Sequence, residues 1–199
     1  MRIAMTQFDF TIKRLFDIVA AALGLAILWP LIAVAWILAR RDTGASGFFR
    51  QERVGRHGKL FKVIKIRTMR AIDGTTVTTA GDARITPLGA KLRRYKIDEL
   101  PQLWNVLIGN MSFVGPRPDV PGFLDRLEGE DRELLQLRPG ITGPASLKYR
   151  DEEEILAAVD NPEQHNADVI WPDKVQINRD YMRDWSFGMD IGIILRTIF

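Results

Sequence analysis

The chain has 199 residues, enough for one compact domain plus an appendage but not for two full cores. It contains no cysteine, which excludes a disulfide framework and a thiolate metal site and fits a reducing compartment. The net charge of +3 conceals an asymmetry: residues 40–96 carry fifteen Lys/Arg against four Asp/Glu, whereas residues 119–199 carry nine against seventeen. A basic front half beside an apolar segment suits anionic lipid headgroups and phosphorylated substrates. Nucleic acid is disfavoured as a partner, because the sequence holds no recognition-helix pattern, zinc-ligand set or aromatic RNA motif.

Residues 18–39 form a run of 22 without a single charge, preceded by Lys13-Arg14 and followed by Arg40-Arg41. As one straight helix the run would measure roughly 33 Å, enough to cross a hydrocarbon core. Ala33-Val34-Ala35 mimics a signal cleavage site, but Trp36-Ile37-Leu38 continue the apolar run after it, which argues against processing. Pro30 falls mid-run, where it removes the hydrogen bond to the carbonyl of Ala26 and favours a kink. Basic pairs also flank both ends, whereas a single crossing would gather most charge on one side. The segment alone leaves two readings open: a spanning helix, or a hairpin broken at Trp29-Pro30 that returns to the side it came from.

Residues 48–54 and 59–67 read as short strands around the turn Gly55-Arg56-His57-Gly58. In the second, Phe61, Val63, Ile64 and Ile66 are apolar while Lys62, Lys65 and Arg67 are basic, a pattern that a solvated edge would explain. His57, in its Gly-bounded turn, reads as a loop residue rather than a catalyst, and His165 has no partner signal. Residues 71–83 are rich in Gly and Thr without apolar periodicity and are expected to form a mobile, lid-like loop. Thr86-Pro87 then opens a helix, with Thr86 as N-cap and Pro87 at the first helical position. That helix carries Arg93, Arg94 and Lys96 up to a pair of carboxylates.

The pair is Asp98-Glu99, in the string Ile97-Asp98-Glu99-Leu100-Pro101-Gln102. Asp98 suits the N-cap of a helix whose apolar face is Leu100, Leu103, Trp104 and Leu107 and whose stop is Gly109. Spacing alone accounts for the two carboxylates as a cap and a favourable partner of the helix dipole. Adjacent helical residues diverge by roughly 100°, yet the two could still share one metal ion. Gly115-Pro116-Arg117-Pro118 locks an arginine between two prolines. An acidic helix is expected over residues 123–137, then a turn at Arg138-Pro139-Gly140. Glu152-Glu153-Glu154 suggests an exposed helix and Asn161-Pro162-Glu163 a turn. The tail, with Tyr181, Trp185, Phe187 and the apolar residues from Ile191, reads equally as a packed helix or as one lying in a membrane interface.

Asp98-Glu99-Leu100-Pro101-Gln102, Gly115-Pro116-Arg117-Pro118 and Arg138-Pro139-Gly140-Ile141-Thr142-Gly143 together resemble the bacterial sugar transferase family. These are monotopic phosphoglycosyl transferases that load a sugar phosphate onto a polyprenyl phosphate lipid carrier. The resemblance runs from the apolar segment to about Gly143. It implies an α+β, helix-dominated fold: a re-entrant membrane hairpin over residues 1–41, and a cytosolic domain over 42–199 with amphipathic interfacial helices and a small β-hairpin or sheet around the active site. It implies transfer of a phospho-sugar from a UDP-sugar to polyprenyl (undecaprenyl) phosphate, releasing UMP, at the cytoplasmic face of the bacterial inner membrane, where lipid-linked glycan synthesis begins.

Carried over residue by residue, the resemblance makes Asp98 the nucleophile that forms a phospho-sugar aspartyl ester, and Glu99, with Asp98, the holder of Mg²⁺. Lys65-Ile66-Arg67-Thr68-Met69 resembles the family's Lys-x-Arg-Ser/Thr-Met motif, so Lys65, Arg67, Arg93 and Arg117 are expected to contact substrate phosphate. Gln102, Arg138 and Thr142 are candidates for nucleotide or sugar binding. Two departures stand out. Trp29 precedes Pro30 where the family commonly has serine, and Pro144-Ala145-Ser146-Leu147-Lys148-Tyr149-Arg150 replaces the common Trp-Ala-Gln continuation, which leaves the sugar open. The expected partners are a UDP-sugar, polyprenyl phosphate and membrane lipids; homodimerisation is left undecided. A catalytically silent membrane-anchored adaptor is the alternative from another class.

Overall fold

The computed structural model describes residues 5–70 and 83–199. The expected lid-like loop at 71–83 lies outside the described residues, apart from Ala83. Among the described residues helices dominate, accompanied by two small two-stranded sheets, in agreement with an α+β chain.

α1 (Gln7–Thr43) is 37 residues long, roughly 55 Å, and starts well before the apolar run. A capping box sets its start: Thr6 Oγ1 accepts from the Asp9 amide at 3.2 Å, and the Asp9 carboxylate accepts from the Thr6 amide at 2.7 Å. Gly44 ends it at φ +71°, its amide donating to the Arg40 carbonyl at 3.1 Å. By length and composition α1 is able to cross a membrane. Pro30 lies inside the helix, and the residues around it stand clear of the protein, with Ile27 72% and Trp29 63% exposed.

β1 (Phe48–Val54) and β2 (Leu60–Ile66) form an antiparallel hairpin, Phe48 opposite Ile66 and Val54 opposite Leu60. β2 packs against two separate stretches of α1. Ala21 shares a buried cluster with Val63, while Ala35 and Ala39 share another with Ile66 and Leu92. Val63 and Ile66 stand roughly 10 Å apart along a strand. Ala21 and Ala35 would stand roughly 21 Å apart along a straight helix.

α2 (Pro87–Arg94) starts at Thr86, whose hydroxyl accepts from the Gly89 amide at 2.9 Å, as the sequence predicts. Gly89 lets α2 approach the segment that follows β2, since a Cβ there would stand 2.1 Å from the Thr68 carbonyl oxygen. α3 (Gln102–Leu107) begins later than expected, after a separate 3₁₀ turn over Ile97–Glu99. β3 (Ser112–Val114) pairs in parallel with β4 (Gly140–Thr142), so the expected Arg138-Pro139-Gly140 turn leads into a strand. The expected helix over 123–137 is instead two 3₁₀ segments, Leu124–Arg126 and Gly129–Gln136. Gly129 takes φ +55°, which a continuous right-handed helix cannot accommodate.

The C-terminal half adds α4 (Pro144–Lys148), α5 (Glu152–Ala157), α6 (Pro162–His165), α7 (Trp171–Asp184) and α8 (Phe187–Ile198). The expected turn at Asn161-Pro162-Glu163 is the start of α6, with Asn161 capping the Gln164 amide at 3.1 Å. Val114, Leu134, Leu137, Val175, Tyr181, Met182 and Ile193 make the main core, each such side chain contributing roughly 1.5–3 kcal/mol. α8 divides its faces: Ile193 is buried, while Leu195, Ile198 and Phe199 are exposed. The expectation of a packed helix thus holds for the Ile193 face.

Buried polar contacts fasten α1 to this core. Lys13 pairs with Asp190 of α8, whose other oxygen accepts from Tyr181 Oη at 2.6 Å. Asp17 Oδ1 accepts from Ser112 Oγ at 3.1 Å and the Phe113 amide at 3.0 Å. Arg14 donates to the Val106 and Leu107 carbonyls at 2.6 and 2.8 Å, satisfying the C-terminal end of α3.

Candidate active site

The carboxylate pair sits where α1, β2, α2 and α3 converge. Lys96 ends α2's trailing turn at φ +55°, a left-handed conformation that costs a non-glycine residue about 1–3 kcal/mol. That reversal turns Asp98 inward, to 7% exposure, while Glu99 faces β2. Asp98 does not cap a helix, contrary to its spacing: it lies inside the 3₁₀ turn Ile97–Glu99, which Lys96 precedes, and α3 begins after Pro101 without a side-chain cap. Asp98 Oδ1 is buried and has no hydrogen-bond partner among the described residues.

Lys65 comes to the pair from β2 and donates to Glu99 Oε1 at 2.9 Å. Its strand is held in register with α3 by Asn105, which sequence reasoning passed over. Asn105 Oδ1 accepts from the Ile64 amide at 3.0 Å and its Nδ2 donates to the Lys62 carbonyl at 2.8 Å. A lone amide among Leu103, Val106 and Leu107 was the available signal, since a buried polar side chain must find partners.

Arg93 approaches from α2, with Nε on Thr68 Oγ1 at 3.0 Å and Nη2 3.4 Å from Met69 Sδ. Arg117 is exposed, and its charge reaches Glu99. Arg67 faces the start of β1, its Nε donating to the Ser46 carbonyl at 2.8 Å and its guanidinium 5.8 Å from the Phe49 ring. Gln102 is buried at the start of α3. Arg138 Nε donates to the Gly109 carbonyl at 2.9 Å, and the Thr142 hydroxyl meets that of Thr197 at 2.7 Å. His57 is exposed in its turn at φ +59° and His165 is half-buried at the end of α6.

The two adjacent carboxylates are pushed in opposite directions. Burial, then the neighbouring Glu99 charge, raises Asp98 to about 6 against the pull of Lys65, Arg93 and Lys96. Burial also acts to raise Glu99, but Lys65, Lys96 and Arg117 outweigh it and hold Glu99 below the usual carboxylate range. Among the described residues no group of three or more His, Cys, Asp or Glu could hold a metal. The carboxylates at this site that could take up a cation are the pair, Asp98 and Glu99. It fits a hard cation such as Mg²⁺, which takes one or two carboxylates and completes its shell with water and substrate phosphate.

The site thus combines a buried carboxylate without a hydrogen-bond partner among the described residues, a neighbouring carboxylate ion-paired to Lys65, and the further cations Arg93, Lys96 and Arg117 whose charges act on the pair. The chain belongs to the bacterial sugar transferase family, whose model it matches over residues 8–199. The UDP-glucose:undecaprenyl-phosphate glucose-1-phosphate transferase of Caulobacter vibrioides is 37% identical over 193 residues, 94% of this chain and 68% of that protein. A protein of the same name from Xanthomonas campestris pv. campestris is also 37% identical over 193 residues. The UDP-galactose-lipid carrier transferase of Erwinia amylovora is 33% identical over 205 residues. The chain spans 37% of the length of the Xanthomonas protein and 39% of the Erwinia one.

Proposed function

We propose that this chain transfers a phospho-sugar from a UDP-sugar to polyprenyl phosphate, releasing UMP, through a covalent phospho-sugar ester on Asp98. The observation that carries the reading is the contrast inside the carboxylate pair: Asp98 Oδ1 is buried without a partner, while Glu99 is tied to Lys65. The relatives' names, with undecaprenyl phosphate as carrier and UDP-glucose or UDP-galactose as donor, support it.

In the first step Asp98 Oδ1 attacks the β-phosphorus of the donor. The bond from that phosphorus to the bridging oxygen breaks, and its electrons leave on the α-phosphate of UMP. In the second step an oxygen of polyprenyl phosphate attacks the same phosphorus, Asp98 departs as a carboxylate, and the product is a polyprenyl diphosphate sugar. A bare carboxylate would be repelled by a diphosphate, so Lys65, Arg93 and Arg117 serve to offset charge on the donor and on departing UMP. Arg117 is held between Pro116 and Pro118, which restrict its backbone and lower the cost of fixing a cation there. A divalent cation held by Glu99 with Asp98 would add Lewis-acid stabilisation to the same charge.

The reading includes a re-entrant α1 that enters and leaves the membrane on the cytoplasmic face. What supports it is the exposure of Ile27 and Trp29 beside Pro30, together with the packing of the stretches before and after them against one strand, Ala21 with Val63 and Ala35 and Ala39 with Ile66. A buried or water-bridged contact at the break would have to replace the hydrogen bond that Pro30 removes. The test of function is UMP release by the purified chain with polyprenyl phosphate and a panel of UDP-sugars. Release with one or more donors upholds the transfer; no release with any leaves the adaptor reading.

A further inference from the structure

Behind Arg117 lies a cavity that the two chemical steps do not use. Residues 117–119, α4, α5 and α7 enclose about 430 Å³ there, mouth included. Its inner part is narrow, with room for about one water-sized group.

Asn178 of α7 lines it, only 6% exposed, and its Oδ1 is buried with no hydrogen-bond partner among the described residues. A buried amide oxygen left unpaired is unfavourable, and native structures rarely keep one without a use. Asp119 and Ser146 line the same space, and Trp171 forms a wall, braced edge-on by Phe123 at 5.4 Å. Burial raises the Asp119 carboxyl to about 6 even though Lys174, Arg117 and Arg53 pull it down. The walls are tied together. Lys174 bonds Glu152 at 2.6 Å, and Lys148 and Tyr149 both reach Asp173 at 2.7 Å, so α4 and α5 are strapped to α7.

An amide, a carboxylate, a hydroxyl and an indole converging on one space form a set that reads ring hydroxyls. Asp119 and Glu152 are matched in the lining by Arg117 and Lys174, so the cavity presents no net charge to an anion, whereas the hydroxyls of a neutral ring can donate to the Asn178 amide oxygen and to the carboxylate. Arg117 itself lines the cavity, and its charge acts on both Glu99 and Asp119. A diphosphate held on Arg117 would leave the ring attached to it beside the cavity mouth.

We infer that the cavity bounded by Asp119, Ser146 and Asn178 is a subsite for a neutral hydroxylated ring of the donor, with Asn178 and Asp119 hydrogen-bonding its hydroxyls. The inference rests on the nucleotide-sugar reading above. Two rings of a UDP-sugar share this chemistry, the ribose and the transferred sugar. The ring sits in the mouth, and one hydroxyl enters the narrow interior.

The test compares wild type with Asn178→Ala, Asp119→Asn and Ser146→Ala, measuring UMP release across the UDP-sugar panel and inhibition by UDP. A site built to bond a hydroxyl discriminates steeply, so Asn178→Ala is expected to lower kcat/KM about tenfold or more for the preferred donor. A changed ranking of sugars with unaltered inhibition by UDP upholds the inference and assigns the transferred sugar. Weaker inhibition by UDP, with all donors slowed alike, upholds it and assigns the ribose. An active wild type whose three variants match it in rate, ranking and UDP inhibition overturns the inference, and the cavity is then packing with a trapped water. If an Asn178 variant does not fold, Ser146→Ala decides by the same outcomes. A wild type that releases no UMP from any donor overturns the transfer reading, and this inference falls with it.

Discussion

Asp98 and Glu99 are neighbours in the chain but not in protonation: burial raises Asp98 to about 6, whereas the 2.9 Å ion pair to Lys65 helps hold Glu99 below its usual range. Titratable neighbours pushed apart in this way take different roles. Glu99 keeps its charge through the neutral range and suits a cation holder. Asp98 is the group whose protonation state changes near physiological pH.

The rate should therefore have an acid limb set by Asp98. A carboxylate attacks only when deprotonated, so kcat/KM is expected to fall as pH drops through about 6, tenfold per unit well below it. Asp119 is raised into the same range, so the profile must be repeated with Asp119→Asn. The limb is expected to persist in that variant. Its disappearance would transfer the titration to Asp119.

Asp98 should also destabilise the fold at neutral pH. Its folded pKa lies above the unfolded value near 4, so the native state binds the proton more tightly between about pH 4 and 6. Stability gained from that proton is present at low pH and lost as pH rises through about 6. Asp98→Asn removes the buried charge and is expected to stabilise the protein by about 1–3 kcal/mol at pH 7.5, with little difference at pH 3.5. Urea melts at both pH values check this. A variant less stable than wild type at pH 7.5 would contradict the assignment.

The Lys13–Asp190 pair predicts a large loss on removal of one partner. Both side chains are buried, and Lys13→Met leaves the Asp190 charge with Tyr181 alone. The expected loss is about 3–5 kcal/mol, much of it recovered by Lys13→Met with Asp190→Asn. Denaturant melts in detergent measure both. A Lys13→Met variant within about 0.5 kcal/mol of wild type would mean that the pair does not fasten α1.

For the anchor, the chain's lack of cysteine makes labelling simple. Met5→Cys and Ala45→Cys flank α1, and both are expected to be inaccessible to an impermeant reagent outside sealed cells, then labelled after lysis. Labelling of one but not the other from outside would show a single crossing. Pro30→Ala restores a backbone hydrogen bond and is expected to straighten the helix and move one end across. Unchanged topology in that variant would mean that Pro30 does not set the bend.

The residues read correctly from sequence are those whose surroundings are local. Thr86 and Pro87 announce the start of α2 because a cap needs only its own next residues. The β1–β2 hairpin follows from alternation around a glycine-bounded turn. Lys13 and Arg14 read from sequence only as charges flanking the apolar run, whereas in the fold Lys13 meets Asp190 and Arg14 meets the end of α3. Asp190 lies 177 residues further on, and no local pattern records such a pairing. Asp98 looked like a cap because its spacing is right, but the left-handed Lys96 turns the chain first. A lysine carries no sign of that conformation, as a glycine would. Arg67 alternates with Lys65 along one motif, but the motif does not reveal that the Ser46 carbonyl lies beside it.

The covalent step on Asp98 is tested most directly by single-turnover reaction of a UDP-sugar without lipid acceptor. A burst of about one UMP per active site is expected, with a phospho-sugar adduct on the peptide containing Asp98. Asp98→Asn should abolish both burst and adduct and lower turnover by at least ~10³-fold, whereas Glu99→Gln should chiefly weaken the dependence on Mg²⁺. UMP released only when polyprenyl phosphate is added, with no adduct on Asp98, would contradict the account. Direct displacement by the lipid phosphate would then replace it.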